Sequence, residues 1–374
     1  MIRSLLARVV ILAALSIYCL AGTSYVIVNN NPFGPNSVSA YKLDTANGSL
    51  SFYGKVATTG QGTGGSVVAV AQAITSDARC LFAIDSRSND IAAFASPSYK
   101  LVGKFSNSAL NFSNYAGGTI ALSPNGRFLY GGYTGSLNIG AWRVNPNCSL
   151  TFIAAYVASI GADAYYGLGV SPNGSTLVVS APDFQAAESF KIGSTGSLTD
   201  LGFVSFANVT SCIEAGCFPA AIDFTKDSKV VIFGNPSSQP SVMTASLGTS
   251  GTLTNPQEWD LPNSSGVAFS NAVFLSAQAY AGNGFLYVGM ASGVVTAAFT
   301  ENPLSITTVN STAITLFAGG GLASTGNTLV LTEAGPPQDL ATFRINSDGS
   351  LTPLSTVTDK GGDPIWPTIY PNTR

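Results

Sequence analysis

Leu340-Ala-Thr-Phe-Arg-Ile345, followed by Asp348-Gly-Ser-Leu351, reads as a strand, a tight turn and the start of a second strand. Apolar and polar residues alternate with period two up to an Asp-Gly pair, the usual chemistry of a β-hairpin. The same module stands at Val38-Ser-Ala-Tyr-Lys-Leu43 before Asn47-Gly-Ser-Leu50, and at Ile139-Gly-Ala-Trp-Arg-Val144 before Leu150. Glu188-Ser-Phe-Lys-Ile192 before Leu198 is a further copy. The leucine that opens the last strand recurs as Leu50, Leu101, Leu150, Leu198, Leu253, Leu304 and Leu351, at intervals of 51, 49, 48, 55, 51 and 47 residues. A period of this size marks a repeat architecture in which no unit buries its faces alone.

Upstream of each module lies a strongly apolar run, such as Phe128-Leu-Tyr130, Thr176-Leu-Val-Val179, Val230-Val-Ile-Phe233 and Phe285-Leu-Tyr-Val288. Before that run comes a small-residue segment ending in a turn, as in Ala121-Leu-Ser-Pro-Asn-Gly126. Four short strands per unit and seven units predict an all-β, seven-bladed propeller of four-stranded antiparallel blades. The two ends are out of phase with the repeat. Tyr25-Val-Ile-Val28 is a second-strand segment, and Asp363-Pro-Ile-Trp-Pro-Thr-Ile-Tyr-Pro371 a first-strand segment. The C-terminal segment is therefore expected to supply the innermost strand of the blade that the N-terminus begins, which closes the ring and hides its sheet edges.

Charged residues make up 9% of the 374-residue chain, against roughly 25% in an average soluble domain. A net charge of −3 without a basic cluster excludes nucleic acid as a partner class. Histidine is absent, which removes the commonest general base and metal ligand. No C-x-x-C pair exists either, so neither a metal nor another cofactor is expected.

Arg3 and Arg8 precede an apolar run from Val9 to Leu20 that ends at Ala21-Gly22. Residues 1–21 thus read as a secretory signal peptide, or alternatively as a single N-terminal anchor, and 22–374 as one propeller domain without a stable membrane span after cleavage. A secreted, periplasmic or cell-surface location follows, with a monomer expected. Four cysteines lie beyond the segment. Cys212 and Cys217 flank a short loop and are expected to pair, whereas Cys80 and Cys148 either bridge neighbouring blades or remain buried thiols.

Tyr25-Val-Ile-Val-Asn29, Ser123-Pro-Asn-Gly-Arg-Phe-Leu-Tyr130 and the Val-Ser-Ala-Tyr-Lys and Gly-Ser-Leu elements resemble the lactonase-type seven-bladed propellers. That group includes 6-phosphogluconolactonase-like proteins, muconate-lactonising-type cyclases and YVTN-repeat surface proteins. The resemblance covers essentially the whole chain after the leader and implies a lactonase-like activity. Its motifs build blades, however, and do not specify a reaction. The enzymes of the group use histidine, glutamate and several arginines on anionic substrates, so a chain without histidine argues against a phosphosugar.

A propeller presents ligands at one mouth of its channel, through the loops entering the innermost strands and those joining second to third strands. Lactone hydrolysis needs a base to activate water and a donor or cation for the oxyanion. Glu214, Asp163 and Asp363 are the candidate catalytic carboxylates, Glu214 being flanked by the Cys212–Cys217 pair. Asp85, Arg87, Tyr165, Tyr166, Glu333 and Trp366 are candidate ligand-binding residues, with Arg87 the sole cation of these loops; Tyr133 is a further aromatic. The plainer reading of each carboxylate is a turn cap. Arg143, Lys191 and Arg344 share one register and mark a solvated strand face. Three functions follow: hydrolysis of a neutral lactone or sugar ester, noncatalytic binding of a carbohydrate or an extracellular protein, or a structural role in the cell envelope suggested by the low charge and the Ser, Thr and Gly content.

Overall fold

The computed structural model describes residues 24–64, 74–77, 79–96, 98–106, 118–133, 138–160, 167–209, 217–235, 241–261, 277–280, 284–290, 293–314, 321–333, 338–362 and 364–370. Seven four-stranded antiparallel sheets stand in a ring, each ordered from an innermost to an outermost strand. Blade 1 runs Ile365–Tyr370, Ser24–Asn29, Gly34–Leu43 and Leu50–Gly62, so the two chain ends share one sheet as the phase of the repeat predicts. Blade 2 runs Ile74–Ser76, Cys80–Asp85, Asp90–Ala95 and Lys100–Phe105. Blades 3 to 6 begin on the inner strands Gly118–Leu122, Gly167–Val170, Ile222–Phe224 and Ala277–Tyr280, and blade 7 on Leu322–Thr325. The one helical element among the described residues is a 3₁₀ turn at Pro182–Phe184.

Burial follows the strand order. The second strands are buried on both faces, as in Cys80–Asp85 and Val230–Asn235, which accounts for their unbroken apolar runs. The fourth strands are the most exposed, and on the third strands Arg143, Lys191 and Arg344 are exposed as their shared register predicts. Innermost strands of successive blades touch all the way round, with Ile365–Tyr370 between Leu322–Thr325 and Ile74–Ser76.

Successive blades also interlock at the turn two residues before each repeated leucine. A Cβ added at Gly48 would overlap Leu354 of blade 7, and at Gly196 it would overlap Phe128 and Ile153 of blade 3. Cys148 occupies the equivalent turn of blade 3, with φ +66°, and its sulfur is bonded to Cys80 of blade 2. The pairing left open by the sequence is therefore an inter-blade disulfide, spanning 68 residues of chain. Cys217 is also disulfide-bonded, while Cys212, its expected partner, lies outside the described residues. Because glycine fits the left-handed turn, the double variant Cys80→Ser/Cys148→Gly isolates the cross-link. We expect it to lose about 2–3 kcal/mol against denaturant relative to the oxidised wild type, measured without reductant so that the bond of Cys217 stays intact.

Candidate functional site

The inner strands of blades 1 to 5 and of blade 7 line a channel of about 260 Å³. Ile74, Ile120, Leu168, Ile222 and Leu322 border it but are themselves buried, so the surface it exposes is more polar than apolar, with Thr75 and Thr368 among its lining residues. Asp223 is the one charged lining residue among those described, and its Oδ1 accepts the Phe224 amide at 2.8 Å. Sequence reading passed over Asp223. A lone acid inside the small-residue segment Ala220-Ala-Ile-Asp-Phe224 was the available signal.

Trp366 stands where the channel opens on the face from which the inner strands start. Asn29 pairs with Ile365 and Val28 with Pro367, so Trp366 is the extra residue of a β-bulge. It adopts a left-handed backbone, φ +43°, although it is a bulky side chain. Such strain of about 1–3 kcal/mol persists only where the surroundings impose it, most often at ligand sites. A Cβ on Gly321 would lie 2.7 Å from both the Trp366 Cα and the Pro367 ring, so blade 7 meets the bulge through a residue that must be glycine.

The Gly321 amide in turn donates to Thr332 Oγ1 at 2.8 Å, directly before Glu333. Glu333 is buried, and desolvation followed by the nearby Asp339 carboxylate raises its pKa to about 7. Among the described residues no group donates a hydrogen bond to its carboxylate, and Asp339 Oδ1 is likewise buried without a partner. The loop 359–362 borders this corner: the Asp359 amide donates to the Gln338 carbonyl at 2.8 Å, and Gly361 packs on Asn30. Glu333 and Trp366 thus belong to one corner of the mouth, at the junction of blades 7 and 1.

Asp85 and Arg87 lie at the neighbouring corner, in different roles. Asp85 is fully buried; its Oδ1 accepts Asn36 Nδ2 at 2.8 Å and the Thr58 hydroxyl at 2.6 Å. Asn36 Nδ2 also donates to Asn29 Oδ1, and Asn29 Nδ2 to the Ile84 carbonyl, so the network binds blade 1 to blade 2. Asp85 Oδ2 and Asp90 Oδ1 lack ordinary partners, yet these residues face each other across the hairpin. One proton shared between the two carboxyls satisfies both atoms, and burial, reinforced by Asp90, raises the Asp85 pKa. Lys104 Nζ stands 3.5 Å from the far oxygen of Asp90. Arg87 lies 4.3 Å above the ring of Phe33, a side chain 72% exposed.

Glu188 is a further buried carboxylate, one that the sequence reading treated only as a strand residue. It accepts the Ser159 amide and hydroxyl, both at 2.9 Å, and the Ile160 amide at 3.2 Å. The equivalent inward positions in other blades are Ser39, Gly140 and Ala341, so a lone acid at that register was the signal missed. Asp163, Tyr165, Tyr166, Glu214 and Asp363, together with the Tyr133 side chain, lie outside the described residues. No group of three or more Asp, Glu or Cys among the described residues is placed to hold a metal. No described helix is long and apolar enough to cross a membrane.

Solved structures share this architecture. A 6-phosphogluconolactonase-like protein from Bacteroides uniformis superposes with TM-score 0.73 at 11% identity, over 93% of this chain and 99% of that one. A second, from Bacteroides fragilis, gives 0.72 at 13% identity over 94% and 99%. The periplasmic gluconolactonase of Pseudomonas aeruginosa gives 0.68 at 15% identity over 93% and 99%. Identities this low establish a common fold and leave the chemistry to the residues. No family model matches the sequence, and no curated protein matches it either.

Proposed function

We propose that this chain is an exported, monomeric, lactonase-like propeller, with residues 22–374 as its single domain, that hydrolyses a neutral lactone or sugar ester at the blade 7–blade 1 corner of the mouth. The observation that carries the reading is Glu333: a buried carboxylate poised near pH 7 in the same corner as the strained Trp366. A base of that pKa is half ionised at neutrality and still basic enough to take a proton from water. In the reaction Glu333 removes a proton as the water oxygen adds to the lactone carbonyl carbon. The ring C–O bond then breaks, and the departing alkoxide takes the proton back from Glu333. Trp366, itself buried, shapes that corner of the channel wall. Asp363, three residues before Trp366, is the second carboxylate of the proposal, while Asp163 and Glu214 remain candidates on the loops of blades 4 and 5. The periplasmic gluconolactonase fold and the Cys80–Cys148 bridge support both the reaction class and export.

A noncatalytic role in binding a carbohydrate or an extracellular protein is favoured by one feature. The guanidinium of Arg87, the cation offered by the sequence for an oxyanion, is stacked over Phe33. Purified protein assayed on a panel of neutral lactones separates the two readings. We expect Glu333→Gln to lower kcat/KM at least about 100-fold, with wild-type kcat/KM rising from acid pH through a midpoint of about 7. Glu214→Gln and Asp163→Asn are the parallel controls. Turnover unchanged in Glu333→Gln removes Glu333 from the role, and a panel without turnover leaves the binding function.

A further inference from the structure

Lysine and arginine are divided unequally between the two ends of the ring. Because every inner strand starts at the mouth, the turns joining first to second strands and third to fourth strands all lie on the opposite face. Lys42, Arg143, Lys191 and Arg344 each stand one residue before the end of a third strand, beside that face, in blades 1, 3, 4 and 7. Arg79, Arg127, Lys226 and Lys229 occupy its first-to-second turns in blades 2, 3 and 5, and Lys100 opens the fourth strand of blade 2. All nine are exposed. Among the described residues, Lys55, Arg87, Lys104 and Lys360 are the bases that lie toward the mouth.

Carboxylates show the reverse bias, with Asp85, Asp90, Asp183, Asp260, Glu333 and Asp339 on the mouth side. Six acids share the far face with the nine bases. Asp77 and Asp227 are ion-paired there with Arg79 at 3.9 Å and Lys229 at 2.7 Å, and the others are Asp44, Asp200, Glu301 and Asp348. That face is therefore net positive on a chain whose formal charge is −3.

Two features identify the partner. The bases are spread over six blades at one end of the ring, an array that a broad, flat anionic surface meets at many points and a narrow strand does not. Ser24 also begins the second strand of blade 1 at this face, paired with Leu43. The apolar run Val9–Leu20, with Arg3 and Arg8, stands just before Ser24 in sequence and so joins the fold on the basic side. We propose that the face opposite the mouth docks peripherally on a bilayer of anionic lipids, its bases meeting the phosphate headgroups. The mouth then opens away from the bilayer, toward dissolved substrates. Each base near an anionic leaflet contributes about fivefold in affinity, and salt screens the attraction.

Cosedimentation of the exported protein with vesicles of mixed phosphatidylglycerol and phosphatidylcholine, and with phosphatidylcholine alone, tests the assignment. We expect binding to the mixed vesicles only, weakened at least about tenfold by Arg143→Gln/Lys191→Gln and lost at high salt. Lys55→Gln/Lys360→Gln, which removes the same charge from the mouth side, should bind as wild type does. All four side chains are exposed, and thermal melts check that both variants fold. Equal losses in the two variants would assign the attraction to net charge and overturn the docking face. No binding to mixed vesicles, or equal binding to phosphatidylcholine alone, also overturns the proposal. Retention on heparin without vesicle binding would do the same and make the partner an acidic polysaccharide.

Discussion

Deleting residues 364–374 is expected to abolish the monomeric fold outright. The strand Ile365–Tyr370 is the inner strand of blade 1, hydrogen-bonded to Ser24–Asn29 from Tyr25↔Tyr370 to Asn29↔Ile365. Its removal uncovers a row of backbone donors and acceptors on Val26–Val28, which become an exposed edge ready to pair with another chain. Ile365, Trp366 and Ile369 are all buried, and each such side chain is worth about 1.5–3 kcal/mol relative to exposure. That alone approaches the 5–15 kcal/mol by which a typical native protein is stable. Two inter-blade contacts go with it, to Leu322–Thr325 and Ile74–Ser76. Size-exclusion chromatography should show aggregate in place of monomer. A circular permutant that links the chain ends and opens between blades should stay monomeric, since it keeps the strand. A truncated chain that melts like wild type would refute the closure argument.

That closure was legible because it is a matter of phase. Hydrophobic period, hairpin turns and repeat length are local properties, and a chain that starts on a second strand must finish on a first one. The Cys80–Cys148 bridge was half legible: an even cysteine count suggested pairing, but only the register of neighbouring blades brings Cys148 against the start of a second strand. The site was read less well, because a side chain's role there depends on residues far away in sequence. Asp85 ends a strand as a mouth carboxylate should, yet its partners Asn36 and Thr58 are 49 and 27 residues away and draw it into the blade 1–blade 2 junction. Glu333 has the same sequence context and no such donors among the described residues, so it stays outside any junction network and its raised pKa comes from burial and the nearby Asp339.

Asp85→Asn is expected to make the folded chain more stable than wild type above pH 8 and to flatten its stability between pH 4 and 8. Burial and the facing Asp90 raise the Asp85 pKa from 3.8 to about 8. Over that window the folded state binds a proton that the unfolded state has released, so stability falls as pH rises. It is fully present below the unfolded value and lost once pH passes the folded one, a swing on the order of 6 kcal/mol because each pKa unit is worth about 1.4 kcal/mol. Asparagine removes the titration without removing the network. Its Oδ1 can still accept from Asn36 Nδ2 and the Thr58 hydroxyl, and its amide can donate to the orphaned Asp90 Oδ1. Asp85→Ala should instead lose stability at every pH, since two buried donors lose an acceptor at about 1–3 kcal/mol each. Denaturant midpoints from pH 4 to 9 provide the measurement, and equal pH slopes for wild type and Asp85→Asn would show that the two carboxyls share no proton. The consequence reaches the mouth, because this junction carries the loop that stacks Arg87 on Phe33. Lactone turnover in wild type should therefore gain from Glu333 ionisation through about pH 7 and weaken again as the junction loosens above pH 8, giving a bell whose alkaline limb disappears in Asp85→Asn.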